Sequence, residues 1–238
     1  MTTGLTYSQY VTQIATLAVV EEANAEFVTI LPQMITYAEN RIYRDLDFLF
    51  TSISNTSYGT TVGSRQIAVP TGTFVVPEQI NVITPAGTSN PDLGTRVPLL
   101  PCTKEFIDAV YGVSTSRGTP KYFCPFDDYT FLLGPYPDAV YTVEIVGTYR
   151  PTSLSSANST TFISLYLPDL MIMASMIYIS GFQRNFGRAN DDPQMAITYE
   201  SQYQTLMKSA MAEESRKKFE AAAWSSQSQS VTASPTRG

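Results

Sequence analysis

Histidine is missing from all 238 residues. With it go the Ser/His and Cys/His nucleophilic pairs, the HExxH zinc site and the side chain most often used as a general base near neutral pH. Cysteine is nearly missing too: Cys102 and Cys124 are too few for a disulfide framework and belong to no CxxC or Cys/His cluster. The expectation is two buried thiols and no metal. Long apolar runs are lacking, since the greasiest stretch, Leu165 to Ile179, is broken by Pro168, Asp169 and Ser175 and falls short of the roughly 20 apolar residues that span a bilayer. The opening MTTGLTYSQY has neither a basic nor an apolar segment of the kind a secretory signal carries, so the expectation is a soluble protein made in a cytoplasm. Positive charge is scarce: 15 Lys plus Arg against 21 Asp plus Glu leave a formal charge of -6, which argues against a surface that grips phosphates. Neither GxxxxGKS/T nor GxGxxG occurs, so a phosphate-cradling loop has no support and no cofactor is expected.

What is present is 43% hydrophobic residues, enough to fill a sizeable core in one domain or one and a half. Thr6 and Gln9 stand at capping-box spacing with Leu5 and Tyr10 placed as a hydrophobic staple, which predicts a helix from about Thr6 with Val11, Ile14, Ala15 and Ala18 on one stripe. A second helix follows Asn24, with Pro32 expected in its first turn and Met34, Ile35, Ala38, Ile42 and Leu46 on its buried face. From about Thr51 the period changes to two. Ile67 and Val69 share a face, Tyr122 to Phe126 and Tyr129 to Leu133 flank an Asp127-Asp128 turn, and Tyr141, Val143 and Ile145 line one side of a last strand. Thr103 caps a short helix to Val110. Helix returns after the loop 151–161. Leu170 to Ile179 is apolar nearly all round, which requires cover from its own subunit or from the next one. Asn190 to Pro193 read as the cap of a last helix. Met195, Tyr199, Tyr203, Leu206 and Ala210 form its buried stripe, and Glu213/Lys217 and Glu214/Lys218 form i,i+4 pairs. The fold class is therefore α+β, a helical bundle from the two ends (1–50 and 151–223) with an inserted antiparallel β domain (51–150) and a polar tail (224–238).

Candidate chemistry is thin. Asp127-Asp128 and Asp191-Asp192 are the adjacent carboxylate pairs a glycosidase reading would use, but the first has turn chemistry and the second cap chemistry. Most of the 15 Tyr and 12 Phe sit at strand-face or helix-stripe positions and read as core. Trp224 stands beyond the stripes, where it is either an interface anchor or a helix-end residue folded back on its own subunit. In the run Tyr37 to Asp47, Arg41 with Asp45 and Arg44 with Asp47 are at ion-pair spacing. They form either a solvated face or a subunit interface carried by Arg41 and Arg44, and spacing does not choose.

That run, with what precedes it, carries a resemblance. LPQMITYAENRIYRDLDFL resembles the second-helix signature of podophage-type head-to-tail adaptor proteins. Ile67-Ala68-Val69-Pro70, Gly118-Thr119-Pro120-Lys121-Tyr122-Phe123, Leu132 to Asp138, Tyr141 to Ile145 with Tyr149-Arg150-Pro151, and Tyr166-Leu167-Pro168-Asp169-Leu170 are similar to the family's later motifs in the same order. The resemblance implies a non-enzymatic neck protein of the virion. It would form a homo-oligomeric ring, commonly a dodecamer, beneath the portal protein, with tail nozzle or fibre proteins on its other face and DNA passing through without specific binding. It also implies a C-terminal segment on the portal, offering Glu213, Arg216, Lys217, Phe219 and Trp224. The acidic balance suits a channel along which phosphates must slide. Three other readings compete: a tail-tube or head-completion subunit, a carbohydrate-binding tail module using exposed aromatics, and a carboxylate glycosidase.

Overall fold

A computed structural model describes residues 4–183 and 195–227, with side chains described at 4–180 and 196–218. Contacts divide the chain into two compact units, 1–49 with 151–238, and 50–150.

In the first unit, α1 (Tyr7–Ala18) begins at the Thr6 capping box. The Gln9 N–H donates to Thr6 Oγ1 at 3.5 Å, and the Thr6 N–H donates to Gln9 Oε1 at 3.0 Å. Both staple residues, Leu5 and Tyr10, are buried. The helix stops without a glycine: Val19 takes a left-handed φ of 53°, and the N–H groups of Val19 and Val20 close on the Thr16 and Ala15 carbonyls. Asn24 then caps α2 (Ala25–Asp45), its side chain accepting from the N–H groups of Glu26 and Phe27. Pro32 lies inside this helix and not in its first turn. Pro32 and Val28, whose carbonyl loses its partner, are both on the exposed side of the helix, where water can replace the missing bond. The opposite face, from Phe27 through Leu31, Met34, Ile35, Ala38 and Ile42, is buried. Each such side chain contributes about 1.5–3 kcal/mol.

After the chain returns, α4 (Phe162–Tyr166) starts at a second capping box, between Thr161 and Ser164. Next comes α5 (Pro168–Gln183), which packs against α1, α2, α4 and α6 (Met195–Gln227). The subunit's own helices therefore cover the all-round apolar surface of α5, and Leu170, Met171, Ala174, Met176 and Ile179 are buried. The predicted cap at Asn190 to Pro193 lies outside the described residues. Helix α6 continues to Gln227, three residues beyond Trp224 and into the stretch read as a polar tail; residues 228–238 are outside the description.

The second unit is a β sandwich. Its first sheet has the order β1-β10-β3-β4, made of β1 (Ser52–Gly59), β10 (Thr142–Thr148), β3 (Val76–Thr84) and β4 (Thr95–Pro98), all antiparallel. The second has the order β2-β8-β7-β5, made of β2 (Gln66–Ala68), β8 (Thr130–Gly134), β7 (Tyr122–Asp127) and β5 (Leu100–Pro101). The β5–β7 pairing is parallel, as is the small pair β6 (Arg117–Gly118) with β9 (Tyr136–Pro137), so the domain is antiparallel in its long ladders only. Inward residues of both sheets, among them Ile67, Ile80, Val82, Phe131, Leu133, Val143 and Ile145, form one core. The outer face of the second sheet is covered by α3 (Lys104–Tyr111), which starts at the Thr103 cap and buries Ile107 against Cys124 and Leu132. Gly147 is required where it stands, because a Cβ there would lie 2.4 Å from the Val76 carbonyl oxygen.

Candidate interface

The stripe of α6 ends in a carboxylate. Tyr203, Ala210 and Glu214 follow one another along its buried side, and Glu214 is usable there because its charge is met. The Leu49 N–H donates to Glu214 Oε2 at 3.3 Å, and the Lys217 ammonium bonds Glu214 at 2.7 Å and Glu213 at 2.8 Å. These two carboxylates, Glu213 first, raise the Lys217 pKa, and the ammonium lies 5.7 Å from the Phe162 ring centroid. Phe162 stacks at 4.8 Å on Tyr166. The result is a shallow concavity floored by Phe162, Leu167 and Ala210 and rimmed by Tyr166, Glu213 and Lys217; Tyr166 is 56% exposed. Lys218 does not pair with Glu214 as its spacing predicted; it pairs with Asp47, because Glu214 points inward.

Of the residues expected at a portal interface, Glu213 and Lys217 thus meet on one rim, joined by α4 aromatics for which the sequence carried no signal beyond their type. Arg216 is exposed and forms no ion pair among the described residues. Phe219 and Trp224 belong to α6, and their side chains are outside the description.

Arg41 and Arg44 part company. Arg41 grips Glu200 of α6 with both terminal nitrogens, at 2.8 and 2.6 Å, and its guanidinium lies 4.3 Å over the Tyr203 ring. Tyr203 in turn donates to Asp45 at 2.7 Å, and Asp45 is 3.6 Å from Arg41. The hydrogen bond from Arg41 holds the Glu200 carboxyl below the usual carboxylate range, while burial and the Asp45 bond push the Tyr203 hydroxyl up. Within the subunit Arg41 staples α2 to α6. Arg44 is exposed and donates to the Asn40 carbonyl, and Asp47 pairs with Lys218 and not with Arg44.

Two further glutamates are buried, one in each unit. Glu39 of α2 is fully buried and accepts from the Leu154 N–H at 3.1 Å and the Thr161 hydroxyl at 3.2 Å. Burial raises its pKa, and the bonds from Ser153, Leu154 and Thr161 offset this only in part. Glu144 of β10 is also desolvated, but bonds from Asn81, Ser54 and Arg96 outweigh burial and hold its pKa low.

For chemistry the arrangement offers little. Asp127 spends its carboxylate on the Tyr129 N–H at 2.8 Å, as turn chemistry predicts, and Asp191-Asp192 lie outside the described residues. Cys102 and Cys124 are free, Cys124 buried and Cys102 half-buried, with burial raising both thiol pKa values. Among the described residues no group of three or more His, Cys, Asp or Glu is placed to hold a metal, and no helix is long and apolar enough to cross a membrane. Phe131 and Tyr141 are buried, and Tyr58, Phe74 and Phe123 pack on the same core, while Phe106, Phe126 and Tyr129 are exposed.

A family model described as SU10 adaptor protein matches residues 5–230 of the chain. No curated protein matches it.

Proposed function

Because the chain belongs to the SU10 adaptor protein family, a family of phage head-to-tail adaptors, we propose that it works as a ring between portal and tail that continues the DNA channel. The observation that carries this reading is the extent of the match, which takes in both units and all of α6. The family supports a structural phage protein at the virion neck; the dodecameric ring and the identity of the tail proteins on its far face, nozzle or fibre, are our extension of it. A net charge of -6 favours passage of DNA without capture.

Within that reading the C-terminal end of α6 docks on the portal. The rim of Glu213 and Lys217, the exposed Arg216, and Phe219 and Trp224 further along form the contact, with Trp224 as the apolar anchor. The concavity beside Tyr166 gives the contact a shape as well as a charge pattern. Arg41 and Arg44 are the candidates for contact between neighbouring copies. The decisive experiment mixes the chain with portal rings and images the product by negative-stain electron microscopy, expecting an added ring. Truncation after Ala223 should leave a folded protein that no longer sediments with portal. A truncated chain that binds as well as the intact one removes Trp224 and the tail from the interface.

A further inference from the structure

The chain has two cysteines, and the second sheet brings them side by side. The Leu100 N–H donates to the Lys121 carbonyl and, two residues on, the Cys102 N–H donates to the Phe123 carbonyl, each at 2.9 Å. In that parallel register Leu100 stands opposite Tyr122 and Pro101 opposite Phe123, so the next step of the ladder sets Cys102 opposite Cys124. Side chains alternate across a sheet. Leu99 and Phe123 turn to the core between the sheets, while Cys102 and Cys124 turn to the other face, where both pack with Ile107 of α3 and with Leu132. The Cys102 thiol lies 3.4 Å from the Phe123 carbonyl oxygen, and that carbonyl is joined to the Cys124 nitrogen. Opposed residues on neighbouring strands are about 4.8 Å apart, inside the Cα separation of about 4.4–6.8 Å that a disulfide spans.

We propose that Cys102 and Cys124 form a disulfide when the chain leaves a reducing cytoplasm, a covalent latch that fastens the start of α3 to the second sheet. The co-reactant is a small-molecule disulfide such as oxidised glutathione. Cys102, the half-buried thiol, is the one it can reach. The Cys102 thiolate attacks one sulfur of the small disulfide, forms a mixed disulfide and releases one thiol. Cys124 is only 2% exposed, so it meets the mixed disulfide from within: its thiolate attacks the Cys102 sulfur, closes the bond and releases the second thiol. One small disulfide is thereby reduced to two thiols for each bond made. Burial raises both thiol pKa values, which keeps thiolate scarce at neutral pH and makes closure faster in alkali.

The latch has something to hold. The segment between the two cysteines carries α3 and β6, and α3 rests on the sheet through Ile107, the Phe106–Tyr122 ring contact and the Arg65–Asp108 ion pair at 2.6 Å. A bond from Cys102 to Cys124 closes that segment into a loop and restricts the unfolded chain. The oxidising setting, a virion outside its host, rests on the neck reading; the bond itself does not.

The test uses the full chain, folded and reduced, incubated with oxidised glutathione at about pH 8.5, near the ordinary thiol pKa, and quenched with acid. The monomer should lose the mass of two hydrogen atoms, both thiols should vanish from a titration in denaturant, and a proteolytic map should join the segments holding Cys102 and Cys124. The oxidised chain should melt about 5 °C or more above the reduced one, and dithiothreitol should reverse the gain. Cys124→Ser should stop at the mixed disulfide, keeping one glutathione on Cys102, and Cys102→Ser should stay unmodified over the same time. A wild type that stays reduced, retains glutathione, crosslinks between chains or melts lower once oxidised would overturn the proposal, and these readings on the wild type decide it even where a variant fails to fold. Binding of the reduced chain to portal rings is scored separately, and its failure bears on the neck reading alone.

Discussion

Each unit buries a glutamate, and the two are handled in opposite ways. In the helical unit, Glu39 is enclosed with only neutral donors, the Leu154 N–H and the Thr161 and Ser153 hydroxyls, and burial wins. In the β unit, Glu144 sits on a sheet face where Asn81, Ser54 and the Arg96 guanidinium reach it, and the bonds win. The same side chain thus has its pKa raised in one unit and lowered in the other. The deciding factor is the balance of burial against bonding: at Glu39 burial outweighs its three neutral bonds, while at Glu144 the bonds, Asn81 first and then Ser54 and Arg96, outweigh burial.

The sharpest way to break the comparison is to add a carboxylate in place of an apolar side chain. Ile42→Asp places one at a fully buried position of the helical core, and should cost about 4–5 kcal/mol or more and unfold that unit. Leu206→Asp, at a half-buried position, should cost less. Thermal melts with hydrogen exchange resolved by segment read both. A next test removes the satisfied carboxylate: Glu144→Ala strands Asn81 and Ser54 and should cost about 1–3 kcal/mol, confined to exchange in 50–150. Arg41→Ala comes third. Its bidentate bond and its stacking on Tyr203 join α2 to α6, but Glu200 is partly exposed, so a loss of about 1–2 kcal/mol with the fold retained is expected in a denaturant titration.

The smallest effect is the most diagnostic. Glu39→Gln keeps an acceptor for the Leu154 N–H and removes a buried charge, so at neutral pH it should change stability by no more than about 1 kcal/mol, in either direction. Its signature is the pH slope. A carboxyl whose folded pKa is raised contributes stability that is present below its unfolded value and lost as pH rises through the folded value. Glu39 therefore favours the helical unit on mild acidification, and the glutamine variant should lack that gain. Glu144, with a lowered pKa, contributes stability above the ordinary carboxylate range that is lost as pH falls below it. Chemical denaturation from pH 4 to 8 should show the two slopes with opposite sign in segments of the two units; equal signs would refute the contrast.

Local chemistry was legible where a few residues suffice to define it. The caps at Thr6, Asn24 and Thr103, the turn at Asp127, and the alternating faces around Ile67 and Val143 all follow from neighbours within about four positions. Reading failed where the partner is remote or the environment decides. Pro32 looked like a first-turn residue because proline usually is one, but its exposed side lets the helix run through it. Helix α1 ends at Val19, which carries none of the usual stop chemistry. Glu214 and Lys218 have ideal spacing for a pair, yet one faces the interior and the other meets Asp47. Of the candidate contact residues, the rim of Glu213 and Lys217 was visible as an i,i+4 pair, but Phe162 and Tyr166 beside it were not.

By itself, then, the sequence determined the α+β class, the helix starts, the periods of the faces and the lack of any nucleophile–histidine pair, since these depend on residue identity and short spacing. The tertiary structure alone decided that Arg41 belongs to Glu200, 159 positions away, that Glu39 is enclosed while Glu144 is answered by Asn81, Ser54 and Arg96, and that β1 takes the margin of its sheet beside β10. A charge's partner, and a strand's place in a sheet, are set by which distant segments fold against each other, and no local spacing encodes that.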